Sequence, residues 1–419
     1  MTSQTQILLS RFMTRFGDQA WDFAVPLILI GLFPGQLQIV AIYFLVIKLV
    51  QFFLTPSIMN TIDRWERKKI FKIGIGSQTI ALIFSWFLIV AEANEIAAQT
   101  ILGWGIFSFL IVLGVVSSIG SSLMEVSVGF DLAVDYLKKE ELPIFNSRMK
   151  RIDLLTEVSA PFAAGLLLLL SPPEFRYLGL TLIALINLVS FIPEYLLLQS
   201  VIEGEDHQEK RLVQIKERLN PIKEFAQGMS YFKDQKYAIP MIAYALLWLS
   251  VLSPHGVLLA GYLKDTAKIS ETEIGIFRGF GALFGLVPTF LYAKLHARWG
   301  LQKAANSFLG FQALCVSIAA IGFFSGNQIG LYIFLFFILL SRCGLYGYGI
   351  AETEVRQKFI PSEIRGRVNG FGVSLTSFAT LFIFVIGSLL PSSSDFQYLV
   401  FISAGCVFAG FLLLQKWKI

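Results

Sequence analysis

The feature that most constrains this chain is a succession of about a dozen long apolar runs, each closed by a short polar break. A helix of roughly 20 predominantly apolar residues crosses the hydrocarbon core of a bilayer. The runs are continuous and lack the ten-residue alternation of a membrane β-barrel, so they read as helices. Spans are expected near residues 7–33, 36–61, 69–93, 99–129, 150–171, 176–200, 238–262, 272–294, 302–325, 328–350, 364–390 and 395–415. Of the 419 residues, 55% are hydrophobic and only 15% charged, with 39 Phe. A soluble domain has no core large enough to hide that much apolar surface, so the sequence predicts an all-α, polytopic membrane protein.

The breaks between runs orient it. Basic residues gather in alternate breaks: Arg64, Arg67, Lys68 and Lys69 after the second span, Lys138, Lys139, Arg148, Lys150 and Arg151 after the fourth, and Lys294, Arg298 and Lys303 after the eighth. The intervening breaks, GLFPGQ, EANE, SGNQ and PSSSD, carry almost none. Lys and Arg concentrate on the cytoplasmic side of membrane proteins, which predicts that both termini are cytoplasmic. The net charge of +5 is then a property of those loops and gives no reason to expect a nucleic-acid partner. MTSQTQ lacks the basic stretch of a secretory signal and no small-residue cleavage site precedes Arg11 and Arg15, so the first span is expected to be retained. Cys315, Cys343 and Cys406 sit inside apolar runs, odd in number and widely spaced, which argues against a disulfide framework or a zinc finger.

Val201 to Lys236 is the one long polar segment. It divides the chain into an N-terminal half (1–200), a cytoplasmic linker (201–236) and a C-terminal half (237–419), with six spans in each half. Part of the linker, VQIKERLNPIKEFAQGMSYF, has helical spacing of its apolar residues and suits an amphipathic surface helix. RWERKK at Arg64–Lys69 and RWGLQK at Arg298–Lys303 occupy equivalent places in the two halves. R-I-D at Arg151–Asp153 and R-V-N at Arg367–Asn369 form a weaker echo. Two equivalent six-helix halves are the plan of the major facilitator superfamily.

Polar groups inside the spans carry the functional signal, because a charge at the centre of a span costs about 2.5 to 3.5 kcal/mol on insertion scales. Thr14, Asp18 and Asp22 follow one another at i, i+4 and share a helix face. Asn187, Ser190, Phe191 and Glu194, at i, i+3, i+4 and i+7, form a matching stripe on the sixth span. Pro193 removes the amide that would bond the Val189 carbonyl and so offers carbonyl oxygens around Val189–Phe191. A carboxylate facing an amide, a hydroxyl and freed carbonyls is an oxygen-rich cation site, which Gln78 of the third span can join. The alternative is that Asp18 pairs with Arg11 or Arg15 to lock helices together, with Asn187 and Ser190 as interhelical glue. His255 stands in SPHG in the seventh span, where Pro254 and Gly256 mark a discontinuous helix. An imidazole there suits a transition metal, and equally a proton relay or a packed histidine.

Asp131, Asp135, Arg278 and Arg342 lie within spans or at their ends, and Arg151, Asp153, Glu354 and Arg365 lie near the cytoplasmic ends. Pairs among them would either close one face reversibly or pin helices statically. Nothing matches a Walker A loop, a zincin motif or a nucleophile elbow, so no enzymatic chemistry is expected.

GDQAWDFAV (Gly17–Val25), NSRMKRIDLLTEVSAP (Asn146–Pro161), NLVSFIPEYLLL (Asn187–Leu198) and SRCGLYGYGIAETEVRQ (Ser341–Gln357) resemble ferroportins, the iron exporters of the major facilitator superfamily. The resemblance implies a twelve-helix alternating-access exporter of Fe2+, with Co2+, Ni2+, Zn2+ or Mn2+ as further passengers and no cofactor. It implies a metal site at Asp18 with Asn187 and its neighbours on the sixth span, Ser190 and Phe191, to which the helix-face reading adds Thr14, and it places Gln78 and Glu194 at positions tied to calcium, a regulatory ion in vertebrate members. A second site would centre on the broken seventh span with His255. The chain departs from the vertebrate pattern at Asp22, where a His stands, and near Ile383 and Thr380, where a His and an acidic residue stand. It also has no cysteine where hepcidin attaches to the seventh span. The expectation is therefore a bacterial homologue of the inner membrane, monomeric and not regulated by hepcidin.

Overall fold

The computed structural model describes residues 2–33, 37–62, 65–169, 177–203, 229–232, 235–254, 256–269, 271–389 and 395–418. Among the described residues every regular element is a helix. The first half of the chain holds α1 (Ser3–Leu32), α2 (Leu37–Met59), α3 (Arg67–Ala91), the short α4 (Ala93–Ala98), α5 (Ile101–Val126), α6 (Ala133–Tyr136), α7 (Leu142–Leu169) and α8 (Leu178–Glu203). The second holds α9 (Ala238–Leu247), α10 (Val257–Asp265), α11 (Glu271–Phe324), α12 (Gln328–Phe359), α13 (Arg365–Leu389) and α14 (Phe396–Gln415).

These helices begin and end where local chemistry directs. Thr100 caps α5, its hydroxyl accepting the Gly103 amide at 2.9 Å, and Asn327 caps α12 through the Gly330 amide at 2.7 Å. α11 carries the eighth and ninth spans, turning at Gly300 with φ +77° and ψ 169°, a conformation that an L side chain resists. The fourth span runs past its expected end, because a π-helical turn, Ser127–Leu132, joins α5 to α6 and carries the buried Asp131. The seventh span is interrupted as expected: regular helix stops at Leu247 and resumes at Val257. His255, most of the linker (204–228) and its amphipathic stretch as far as Gly228 lie outside the described residues.

The apolar pattern is that of a chain in lipid. Phe162, Ile329 and Phe401 are 68%, 72% and 71% exposed, side chains that a water-soluble surface rarely presents so freely. Inside, Trp21, Ala24, Leu29, Phe33, Phe107, Ala160, Ala164, Leu180 and Ile183 form one apolar cluster that packs α1, α5, α7 and α8.

The chain resolves into two compact units. The first comprises Met1–Leu137, Leu155–Gly228 and Pro361–Phe371, and the second Lys138–Leu154, Met229–Ile360 and Gly372–Ile419. The start of α7 therefore belongs to the second unit, and the start of α13 to the first.

Candidate metal-binding cavity

A cavity of about 230 Å3 opens within the first unit. α1 supplies Thr14, Asp18 and Asp22, α3 supplies Gln78, and α8 supplies Asn187, Ser190, Phe191 and Glu194. Every metal-site residue singled out from the sequence thus lines one space, except His255, which is outside the described residues. Gly17 makes room for one of them. A Cβ at that position would stand 2.0 Å from Asn187 Oδ1, so glycine there leaves room for the Asn187 amide against α1. Asn187 Nδ2 donates to the Gly17 carbonyl at 3.3 Å and to the Ile183 carbonyl at 3.1 Å, which occupies the amide hydrogens and leaves the amide oxygen to accept.

The polar groups are held but not saturated. Ser121 Oγ donates to Asp18 Oδ2 at 2.6 Å. The Thr14 hydroxyl lies 2.5 Å from Glu194 Oε1 and 3.0 Å from the Ser10 carbonyl, tying α1 to α8 a second time. Ser190 Oγ donates to the Asn187 carbonyl at 2.8 Å, and Gln78 Nε2 to the Gly74 carbonyl at 3.2 Å, so each keeps oxygen lone pairs to offer. Arg11 and Arg15, the alternative partners for Asp18, lie 3.6 and 2.8 Å from Glu125 of α5. Pro193 sits inside α8 without ending it. Val189 faces away, 63% exposed, so the cavity takes its α8 oxygens from Asn187, Ser190 and Glu194 and from the segment at Phe191.

Carboxylate, amide and hydroxyl oxygens around one space suit a hard or borderline divalent cation. Among the described residues no group of three or more His, Cys, Asp and Glu is gathered for a metal. That excludes from them a closed cage of the structural-zinc kind. A transport site must also release its ion, and a carboxylate backed by neutral oxygens meets that requirement better than a cage does.

The sequence reading missed the fourth wall. Ser117, Ser118, Ser121 and Ser122 of α5 all line the cavity, with Glu125 one turn further. Their i, i+1, i+4, i+5 spacing in SSIGSSLME is a polar stripe on one helix face, legible by the same periodicity that identified α8. Lys48 and Gln51 of α2 were also missed.

Two further groups of charges are organised. In the first unit, Asp131 accepts from Arg67 Nε at 3.0 Å and from Arg365 Nη1 at 3.1 Å. Asp135 accepts from both arginines too, from Arg365 at 3.4 Å. Arg367 Nε donates to Asn60 Oδ1 at 2.5 Å. In the second unit, buried Glu354 gathers the Tyr292 hydroxyl at 2.7 Å, His296 Nε2 at 2.9 Å and Lys358 Nζ at 2.5 Å. Asn146 and Gln357 exchange amide bonds at 2.7 and 3.0 Å, and Arg151 donates to the hydroxyl and carbonyl of Thr289 at 3.0 and 2.8 Å. Arg342 serves the backbone instead. Its Nη2 donates to the Leu252 carbonyl at 2.7 Å, satisfying an acceptor in the interrupted seventh span.

An all-helical chain with an apolar exterior, an oxygen-lined cavity and an interrupted helix has the attributes of a major facilitator transporter. A solved structure of a proton:xylose symporter of that superfamily shares the fold, with TM-score 0.72 at 13% identity over 99% of this chain and 95% of that one. The protein is a membrane transporter and not an enzyme. The family described as "Ferroportin1 (FPN1)" matches residues 2–407. A protein named ferreportin from Bdellovibrio bacteriovorus is 43% identical over 99% of this chain and 94% of its own length. Two crystal structures of a bacterial homologue of the iron transporter ferroportin in its outward-facing state, the second with soaked iron, match at 42% identity. Their TM-scores are 0.90 and 0.88, over 100% of this chain and 99% of each of theirs. The chain belongs to the ferroportin family.

Proposed function

We propose that this transporter exports ferrous iron and similar divalent transition metals, Co2+, Ni2+, Zn2+ and Mn2+ among them, by alternating access of the cavity around Asp18. The observation that carries the reading is the convergence of Asp18, Asn187, Ser190, Thr14 and Glu194 on one space within a membrane-embedded helical unit. A relative 42% identical is described as an iron transporter homologue and has been soaked with iron, which supports the choice of metal. No nucleotide motif is present in the sequence, so uphill movement is assigned to coupling with protons or another ion. His255 belongs to a second site on the interrupted seventh span, and Ca2+ is a candidate regulatory ion at Gln78 and Glu194. In this reading alternating access is a rocking of the two six-helix halves, 1–200 and 237–419. The protein works as a monomer in a bacterial inner membrane with both termini in the cytoplasm.

Uptake of Fe2+ or Co2+ into liposomes under a pH gradient tests this. The wild type is expected to carry metal, and Asp18→Ala to lose at least roughly tenfold of the flux, because it removes the carboxylate that stands with the oxygens of Thr14, Asn187 and Ser190. Undiminished metal flux in Asp18→Ala refutes the site. Transport of an organic cation with none of metal refutes the substrate class.

A further inference from the structure

Asp22 and Lys48 line the same cavity as Asp18, on α1 and α2. Asp22 lies one helical turn from Asp18 and its side chain is exposed to the cavity. Among the described residues it forms neither a hydrogen bond nor an ion pair within 4 Å. The cations lining the space are Lys48 and Arg15, and Arg15 is engaged by Glu125 at 2.8 Å. Lys48 is not engaged by a carboxylate. Its Nζ donates to Gln51 Oε1 at 3.1 Å, and Gln51 Nε2 donates in turn to Ser122 Oγ at 2.6 Å, which steadies the ammonium beside the serine face of α5.

An ammonium on a flexible four-carbon stem, sharing a cavity with a carboxylate it does not bond, is a counter-ion free to change partners. We propose that Lys48 is the tethered counter-cation of the metal cavity. Its charge balances Asp22 while the cavity is empty, competes with a divalent ion for the two carboxylates of α1, and so weakens capture and speeds release. The inference rests on the cavity being the metal's path. It adds a residue that sets affinity and turnover there, through charge and without ligating the ion. A carrier needs such a counterweight, because an ion bound too firmly does not leave.

The test is the concentration dependence of Co2+ uptake into liposomes for the wild type, Lys48→Met, Lys48→Arg, Asp22→Asn and the double variant Lys48→Met/Asp22→Asn. Lys48→Met is expected to lower the half-saturating Co2+ concentration about tenfold, equivalent to ~1.4 kcal/mol, and to lower the maximal rate. Lys48→Arg, which keeps the charge, is expected to restore the wild-type half-saturation. With Asp22→Asn already in place, Lys48→Met is expected to shift half-saturation far less, because the partner charge is gone. Lys48→Gln, which can still reach Gln51, moves half-saturation in the same direction as Lys48→Met and serves if the methionine variant does not fold. An unchanged or raised half-saturating concentration without the positive charge overturns the proposal, as does an equal shift with and without Asp22. A wild type that takes up no Co2+ overturns the metal reading of the cavity, and this inference with it.

Discussion

The cavity of the first unit and the interrupted span of the second solve one problem in opposite ways. Both place polar groups at a depth where the bilayer offers no water. In the first unit the helices stay whole. α1 and α8 run unbroken past Asp18 and Asn187, and the polar groups on offer there belong chiefly to side chains. In the second unit the helix itself opens. Between Leu247 and Val257 the backbone leaves its ladder, and other groups satisfy it: Ser403 accepts the Val251 amide at 3.0 Å, Ser250 accepts the Leu252 amide at 3.2 Å, and Arg342 donates to the Leu252 carbonyl. Side chains on intact helices make a site whose geometry is fixed by packing. An opened backbone makes a site that must be held open by particular partners.

That contrast is breakable. The largest effect belongs to Asp18, whose removal is expected to lower metal flux at least roughly tenfold while leaving the protein folded, because a single hydrogen bond from Ser121 is all that ties its carboxylate to another helix. If thermal unfolding of Asp18→Ala dropped as far as its flux did, the cavity would be a structural element after all. Arg342 stands at the other pole. Arg342→Met leaves the Leu252 carbonyl without its charged donor, at a cost of about 1.5–3 kcal/mol, and is expected to lower the unfolding temperature as well as flux. Loss of flux with unaltered stability would mean that the opened stretch does not need this clamp. The smallest effect is expected at Ser121, whose hydroxyl orients the Asp18 carboxylate. Ser121→Ala removes one charge-assisted hydrogen bond, and half-saturating Co2+ is expected to change by a few-fold, the alanine variant remaining fully folded.

How much of this was legible in sequence follows from the same contrast. The cavity residues on α1 and α8 were readable because helical periodicity converts spacing directly into a face, and because charge in lipid is costly enough to stand out. The serine stripe of α5 obeys the same rule. It went unread because serine is cheap to bury when it bonds its own helix, as Ser122 Oγ does to the Ser118 carbonyl at 3.0 Å, so it raises no alarm by itself. Lys48 was overlooked for a different reason: its meaning depends on Asp22 lining the same cavity, a convergence of two helices that no spacing encodes. Pro254 and Gly256 announced the break in the seventh span, whereas Arg342, which holds it, is 90 residues away. The π-helical turn at Ser127–Leu132 left no signature in the pattern of apolar residues, although it carries Asp131 toward Arg67 and Arg365.

The most direct test of the central claim is to locate the ion. Crystals of the wild-type protein soaked in Fe2+ and measured at the iron absorption edge are expected to give an anomalous peak inside the first-unit cavity. The peak should lie within about 2.5 Å of an Asp18 carboxylate oxygen, in reach of the Asn187 amide oxygen. A cavity without that signal, with Asp18 still bonded only to Ser121 while iron sits elsewhere in the molecule, would contradict the account.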